Sequence, residues 1–300
     1  MRFTVRAPAS SANLGPGFDA LAVALDLWNE IEVEFAEGAD RVVVHGSDAA
    51  LLDGRENLSL SAMRYLAERQ DRKLPPVSLM VQADVPVARG LGSSAAALVS
   101  GLMAANHLLD LGLSRAELYA HAWGLEGHGD NVGAAMYGGA ILALPGVAEP
   151  VCLANGRDLG LVAVLFIPEA TGATWAARAA LPATIPHPDA AFNVATASGL
   201  AVGLLTGNRA AIAAGMHDRL HEPYRARLFP HLTAMIETAR EAGALGACLS
   251  GAGPSILSLC VPEIASEVEA AFTRTAERIG APGRTATLEL TCQGACICQG

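Results

Sequence analysis

Lysine is almost absent from this 300-residue chain: of its 20 Lys and Arg residues, Lys73 alone is lysine, just ahead of Pro75-Pro76. That scarcity excludes a Walker-type nucleotide loop, which needs Gly-Lys-Ser/Thr at its end. The Gly-x-Gly-x-x-Gly spacing of a dinucleotide fold is missing as well. Positive charge is in deficit overall, and the formal net charge of −10 argues against a nucleic-acid partner. The opening residues Met1-Arg2-Phe3-Thr4-Val5-Arg6 lack the apolar run of a signal peptide and alternate like an edge strand. Residues 90–111 are poor in charge, but their Gly, Ser, Asn106 and His107 suit a buried helix rather than a membrane span. Cysteine is scattered, at Cys152, Cys248, Cys260, Cys292, Cys296 and Cys298. The tail spacing C-x3-C-x-C matches no zinc pattern and has no histidine nearby. Reduced thiols in a cytoplasmic protein with no membrane partner are the expectation.

What the chain has is apolar content, 52% hydrophobic, enough for one large or two ordinary cores. Alternation predicts strands over residues 3–7, 21–27, 31–35, 41–45 and 77–83. A helix is predicted over 57–70, with Leu58, Met63, Leu66 and Ala67 on one face, and another over 93–111. Ser114 and Glu117 form a capping box for the next helix. Residues 127–139 read as a polar, glycine-rich interruption before a strand at 141–144. Beyond lie a strand at 161–167, helices at 191–206, 209–217, 228–242 and 263–279, and short strands at 247–249, 256–260 and 285–290. The tail 288–300 could complete a terminal strand. The mixed order favours an α+β fold over a doubly wound sheet, in two tightly joined domains, 1–155 and 156–300.

The most telling stretch is Pro86-Val87-Ala88-Arg89-Gly90-Leu91-Gly92-Ser93-Ser94-Ala95-Ala96-Ala97, which leads from the 77–83 strand into a helix. Strand, glycine loop and helix start together cradle phosphates, because small residues let backbone N–H groups approach an anion and first-turn amides face it. With no lysine, the neutralising charge must come from those amides, the helix dipole, a metal ion or arginine. Ser93 and Ser94 offer hydroxyls to a phosphate oxygen or to magnesium. In the loop over 7–19, Asn13 and Asp19 offer an amide and a carboxylate suited to a hydroxyl or ammonium group. Glu126-Gly127-His128-Gly129-Asp130-Asn131 gathers four hydrogen-bonding or metal-binding side chains, with Glu126 suited to magnesium. Residues 246–255 read as strand, glycine turn and strand.

These four stretches, in this order, resemble the homoserine kinases of the GHMP kinase superfamily, and the resemblance covers nearly the whole chain. PASSANLGPGFD is the most specific element; PVARGLGSSAAA resembles the superfamily's ATP loop, and SGAGPS its third glycine motif. The resemblance implies an N-terminal α+β ATP-binding domain, a C-terminal ferredoxin-like domain and an active site between them. It implies ATP and magnesium as cofactors and L-homoserine as acceptor, giving O-phospho-L-homoserine for threonine synthesis. By the same resemblance, residues 86–96 wrap the ATP phosphates, and Ser94 and Glu126 hold magnesium. Asn13, Asp19, His128 and Gly251 meet the substrate, while Arg178 and Arg225 grip its carboxylate, as a guanidinium does through paired hydrogen bonds. Asn131 falls nearest the reacting hydroxyl, and Asp130 is the alternative base. Family members are often dimers, so a homodimer is compatible with the resemblance. Another small-molecule kinase of the superfamily and a non-catalytic ligand-binding relative are the alternatives. Gly129 stands where the family usually has proline, and a second proline is missing near Ala134. Without those rings the loop is expected to be more mobile when empty.

Overall fold

A computed structural model describes residues 2–299. The chain opens with strands β1 (Arg2–Asn13) and β2 (Gly17–Phe35), the latter one bent 19-residue strand where alternation predicts two. A register shift between Pro8 and Ala9 of β1 leaves Asp26 and Leu27 without partners on β1, while Trp28, Asn29 and Glu30, which fall between the two predicted strands, pair with Pro8, Ala7 and Arg6. β3 (Arg41–His45), helices α1 (Ala49–Leu52) and α2 (Leu58–Arg69), and β4 (Val77–Ala83) follow. Next come α3 (Ser93–Leu108), α4 (Arg115–Glu126), α5 (Asp130–Tyr137), β5 (Ala140–Leu142) and β6 (Val151–Ala154). The capping box at Ser114 and Glu117 is formed.

The second half contains β7 (Val162–Pro168), α6 (Thr174–Ala179), α7 (His187–Thr206), α8 (Arg209–Gly215) and α9 (Glu222–Arg225). It continues with α10 (Leu232–Glu241), β8 (Gly246–Leu249), β9 (Ile256–Cys260), α11 (Ala265–Ile279), β10 (Gly283–Glu289) and β11 (Cys296–Gln299). α7 has the length and apolarity of a membrane span. It packs along α8, burying Leu200 and Leu204 while Val194, Val202 and Leu205 face outward.

Two sheets result. The first runs β11-β1-β2-β4-β3, with β5 and β6 continuing from the other half of β2. The length of β2 has a use: Asn29–Phe35 pair with β4, and Leu21–Val23 pair with β5. The second sheet is antiparallel, in the order β10-β7-β9-β8. With α10 and α11 as crossovers, β7-α10-β8-β9-α11-β10 is a ferredoxin-like unit, into which α6 to α9 are inserted. The tail does form a strand, but β11 pairs with β1 and so returns to the first sheet.

Residues 127–139 do not remain an interruption. Asp130–Tyr137 is helical because Val132, Ala134, Ala135 and Met136 are buried, so packing overrides the weak propensity of Gly133. One core lies between the first sheet and α2, α3 and α4, around Phe3, Met63, Leu66, Leu79 and Leu102. A second joins the two halves, bringing Leu14, Leu21 and Leu91 against Leu165, Leu200 and Leu257. Each such aliphatic side chain contributes about 1.5–3 kcal/mol on burial, so the loop carrying Leu91 is anchored at the junction of the two sheets.

Candidate active site

The glycine loop leaves β4 and enters α3 through left-handed backbone at Ala88, Gly90 and Gly92. A Cβ on Gly92 would lie 2.1 Å from Ser10 Oγ, and one on Gly90 would lie 2.2 Å from the Ser250 carbonyl oxygen. The loop is thus held from both sides. The Ser10 amide donates to the Leu91 carbonyl at 3.1 Å, and the Ser250 hydroxyl donates to the Gly90 carbonyl at 2.7 Å. No side chain caps α3, which leaves its first-turn amides to an anion. Ala95 and Ala96 are buried in the core, so only their backbone can face that anion, and Val87 lines the groove that adjoins the loop.

Arg89 points elsewhere. Its guanidinium donates to the carbonyls of Pro168, Glu169 and Val87 and to the Asp48 carboxylate. Asp48 also accepts from the Val87 amide, and nothing in its sequence context singles it out. Arg89 therefore braces the loop against β7, and its charge is matched by Asp48.

At the end of α4, Glu126 accepts from the Ser94 hydroxyl at 3.1 Å. Burial raises the Glu126 carboxyl above its ordinary range, against the lowering pull of His128 and of the Ser94 hydrogen bond. His128 donates from Nδ1 to Asp130, which also accepts from the Asn131 amide. Burial pushes the imidazole down, but Asp130, backed by Glu126 and Asp19, reverses this and the net shift is upward. The Ser10 hydroxyl donates to Asn131 Oδ1 at 2.8 Å, which turns the Asn131 amide nitrogen away from Ser10. Gly129 lies under the Trp123 ring, and its carbonyl accepts from the Tyr119 hydroxyl at 3.1 Å. A Cβ there would meet Trp123 at 2.4 Å, so aromatic packing holds this loop in place of a proline ring.

The other wall carries Asp19 and Arg178, joined by two hydrogen bonds of 2.9 and 3.0 Å. Asn13 donates to the Gly251 carbonyl and accepts from the Asp19 amide, tying the first loop to the last. Arg225 is 2% exposed and stands on α9. Asp218 builds the start of that helix by accepting from the amides of His221 and Glu222. Burial lowers the Arg225 guanidinium to about 10, with Arg178 adding to the effect, so it remains a cation at neutral pH. The buried Glu222 carboxyl accepts from the Leu249 amide and docks α9 on β8. Burial, reinforced by Asp218, pushes that carboxyl up to about 8. The folded state then holds a proton that the unfolded chain releases near 4.5, so stability falls as pH rises from about 4.5 to about 8. Glu222→Gln is expected to flatten that fall by a few kcal/mol, read as melting temperature against pH; an unchanged slope would assign the dependence elsewhere.

Asn13, Asp19, Glu126, His128, Asn131, Arg178, Arg225 and Gly251 all line one pocket of about 100 Å³ with Gly90, Gly92 and Ser94. Through Ala88, Ser93, Ser94 and Thr174 it opens into a groove of about 1220 Å³. The groove is walled by α1, the segment leading to α2, and Trp175, which is 77% exposed. Sequence reasoning missed this groove, because residues 46–57 carry no chemical motif. Ser94 and Glu126 place two hard oxygen atoms, of the kind magnesium takes, side by side at the start of α3. Asp19, His128 and Asp130 also converge, but Asp19 is matched by Arg178 and the other two by each other.

This cradle-and-pocket arrangement between a mixed α/β lobe and a ferredoxin-like lobe is that of a small-molecule kinase. Two family profiles match, GHMP kinases N terminal domain over residues 57–139 and GHMP kinases C terminal over 196–278. The homoserine kinase of Gloeobacter violaceus is 45% identical over 279 residues, covering 90% of this chain and 92% of that one. That of Moorella thermoacetica is 38% identical over 273 residues, with the same two coverages. The crystal structure of homoserine kinase from Cytophaga hutchinsonii superposes with a TM-score of 0.86 at 29% identity, covering 99% of this chain and 97% of that one. The chain belongs to the GHMP kinases and, within them, to the homoserine kinase family.

Proposed function

We propose that this protein transfers the γ-phosphoryl group of ATP to the side-chain hydroxyl of L-homoserine, releasing O-phospho-L-homoserine and ADP. One observation carries the reading: a carboxylate–guanidinium pair and a second, buried guanidinium open onto the same pocket as the phosphate loop. That set matches a zwitterion. The substrate ammonium would take Asp19 and its carboxylate would take Arg178 and Arg225, so the internal ion pair is exchanged for two external ones rather than lost. The adenosine portion of ATP would occupy the groove beside Trp175. The division near residue 155 would place nucleotide binding mainly on the first lobe, with Arg178 and Arg225 supplied by the second.

Phosphoryl transfer asks a protein chiefly for alignment and charge neutralisation. Backbone amides of residues 90–94 would hold the phosphates. Ser94 and Glu126 would hold magnesium, which when bound neutralises phosphate charge. Asn131, its carbonyl oxygen engaged by Ser10, would offer N–H groups to the acceptor hydroxyl. Asp130 is nearly inaccessible, and its carboxylate already accepts from His128 and from the Asn131 amide. It therefore fixes the loop instead of removing the hydroxyl proton. A loose transition state needs little deprotonation before attack, so a dedicated base is not required.

A coupled assay with ATP and magnesium tests the proposal. Homoserine is expected to drive ADP release, while mevalonate and galactose do not. ADP release with mevalonate at an equal rate would move the substrate assignment, and binding without turnover would indicate a non-catalytic relative. Ser94→Ala and Glu126→Gln are each expected to lower kcat about 100-fold and to weaken the dependence on magnesium. Normal turnover in both would remove the two residues from the metal site.

A further inference from the structure

His221 has no part in the transfer described above, yet its side chain is fully buried where the two lobes meet. Its ring lies 5.4 Å from the Phe18 ring, and the Arg225 guanidinium lies over that same ring, also at 5.4 Å. Nε2 stands 2.7 Å from the carbonyl oxygen of Gly15, in the turn between β1 and β2. Nδ1 stands 3.2 Å from Nη1 of Arg225.

These two contacts specify a protonation state. A guanidinium carries donors only, so Nδ1 must accept, and the ring's one proton sits on Nε2 and is donated to Gly15. A doubly protonated ring would set an N–H against the N–H of Arg225. The charged groups around the ring are Asp218, with Oδ2 3.9 Å from Nε2, together with Arg225 and Asp19. Burial is the largest influence and lowers the imidazole, in keeping with a neutral ring.

Arg225 uses Nε on the Ala177 carbonyl and shares Nη1 between the Gly251 carbonyl and His221. Nη2 has no protein partner among the described residues, and Arg225 lines the pocket. We infer that His221 is a positioning residue for recognition of the acceptor's carboxylate: its neutral imidazole ties the Gly15 turn to Arg225 and aims Nη2 into the pocket. The inference rests on the homoserine reading of that pocket.

The test compares homoserine with 3-aminopropan-1-ol, which keeps the hydroxyl and amine but lacks the carboxylate. His221→Leu is expected to raise KM for homoserine about tenfold with little change in kcat, and to leave kcat/KM for the aminoalcohol within about twofold. His221→Gln, whose amide offers an acceptor oxygen and a donor nitrogen, is expected to restore most of that loss. An equal fall for both substrates in the leucine variant would make His221 merely structural and overturn the inference. Should leucine prevent folding, ¹⁵N shifts of the wild-type imidazole at pH 7 decide: a proton on Nε2 alone supports the inference, and a proton on Nδ1 overturns it. Failure of the wild-type protein to phosphorylate homoserine is a separate outcome that removes the substrate reading instead.

Discussion

Gly90→Ala is expected to cut kcat/KM for ATP at least about 100-fold, because the new methyl group has nowhere to go. The backbone there has φ +74, a conformation costing an alanine about 1 kcal/mol or more. The added Cβ would lie 2.2 Å from the Ser250 oxygen and 2.9 Å from the Gly253 nitrogen. Both are backbone atoms, so relief requires the loop or the Ser250 turn to move. A displacement of about 1 Å suffices to break the alignment on which transfer depends. Gly38→Ala is the control, since its φ of +90 carries similar strain but its Cβ would meet nothing within 4 Å. The measurement is steady-state kinetics with ATP varied, alongside thermal denaturation of both variants. Undiminished turnover in Gly90→Ala would show that the phosphates bind elsewhere.

Arg225→Ala is expected to raise KM for homoserine about 100-fold while KM for ATP stays within about threefold. The guanidinium would contact a part of the substrate that does not change during transfer, so its loss falls on binding more than on kcat. A charge-assisted hydrogen bond to a buried guanidinium is worth about 1.5–3 kcal/mol, which sets the size. Arg225→Lys is not expected to rescue. A lysine cannot span the Ala177 and Gly251 carbonyls and still present a free donor to the pocket. Arg178→Ala should cost less, because that side chain is 41% exposed and already paired with Asp19. An unaltered KM in Arg225→Ala would sink the carboxylate assignment.

Much of the site is readable before any coordinates exist, because its chemistry is carried by contiguous residues. The run from Pro86 to Ala97 specifies its own backbone: glycines at 90 and 92 permit left-handed turns, and the alanines after them propagate a helix. Glu126, His128 and Asn131 lie within six residues, so their convergence needs only one loop. Asp48 was invisible for the opposite reason. It earns its place only through Arg89, 41 residues away in sequence, and through the Val87 amide. Helix α5 was hidden by Gly129, Gly133 and Gly138, whose low propensity is outweighed once Met136 and Val132 find the core. The pairing of Asp19 with Arg178 spans 159 residues and depends on how the lobes meet.

Local backbone geometry at the anion cradle, the absence of lysine from it and the ordering of the four loops follow from residue identity alone, since φ preferences and amide exposure are settled within a few neighbours. Where the arginines point does not. Arg89 bends back onto β7 and Arg225 faces the pocket because carbonyls from distant segments, at Pro168 and Glu169 in one case and Ala177 and Gly251 in the other, become their acceptors only after the two sheets close on the shared core.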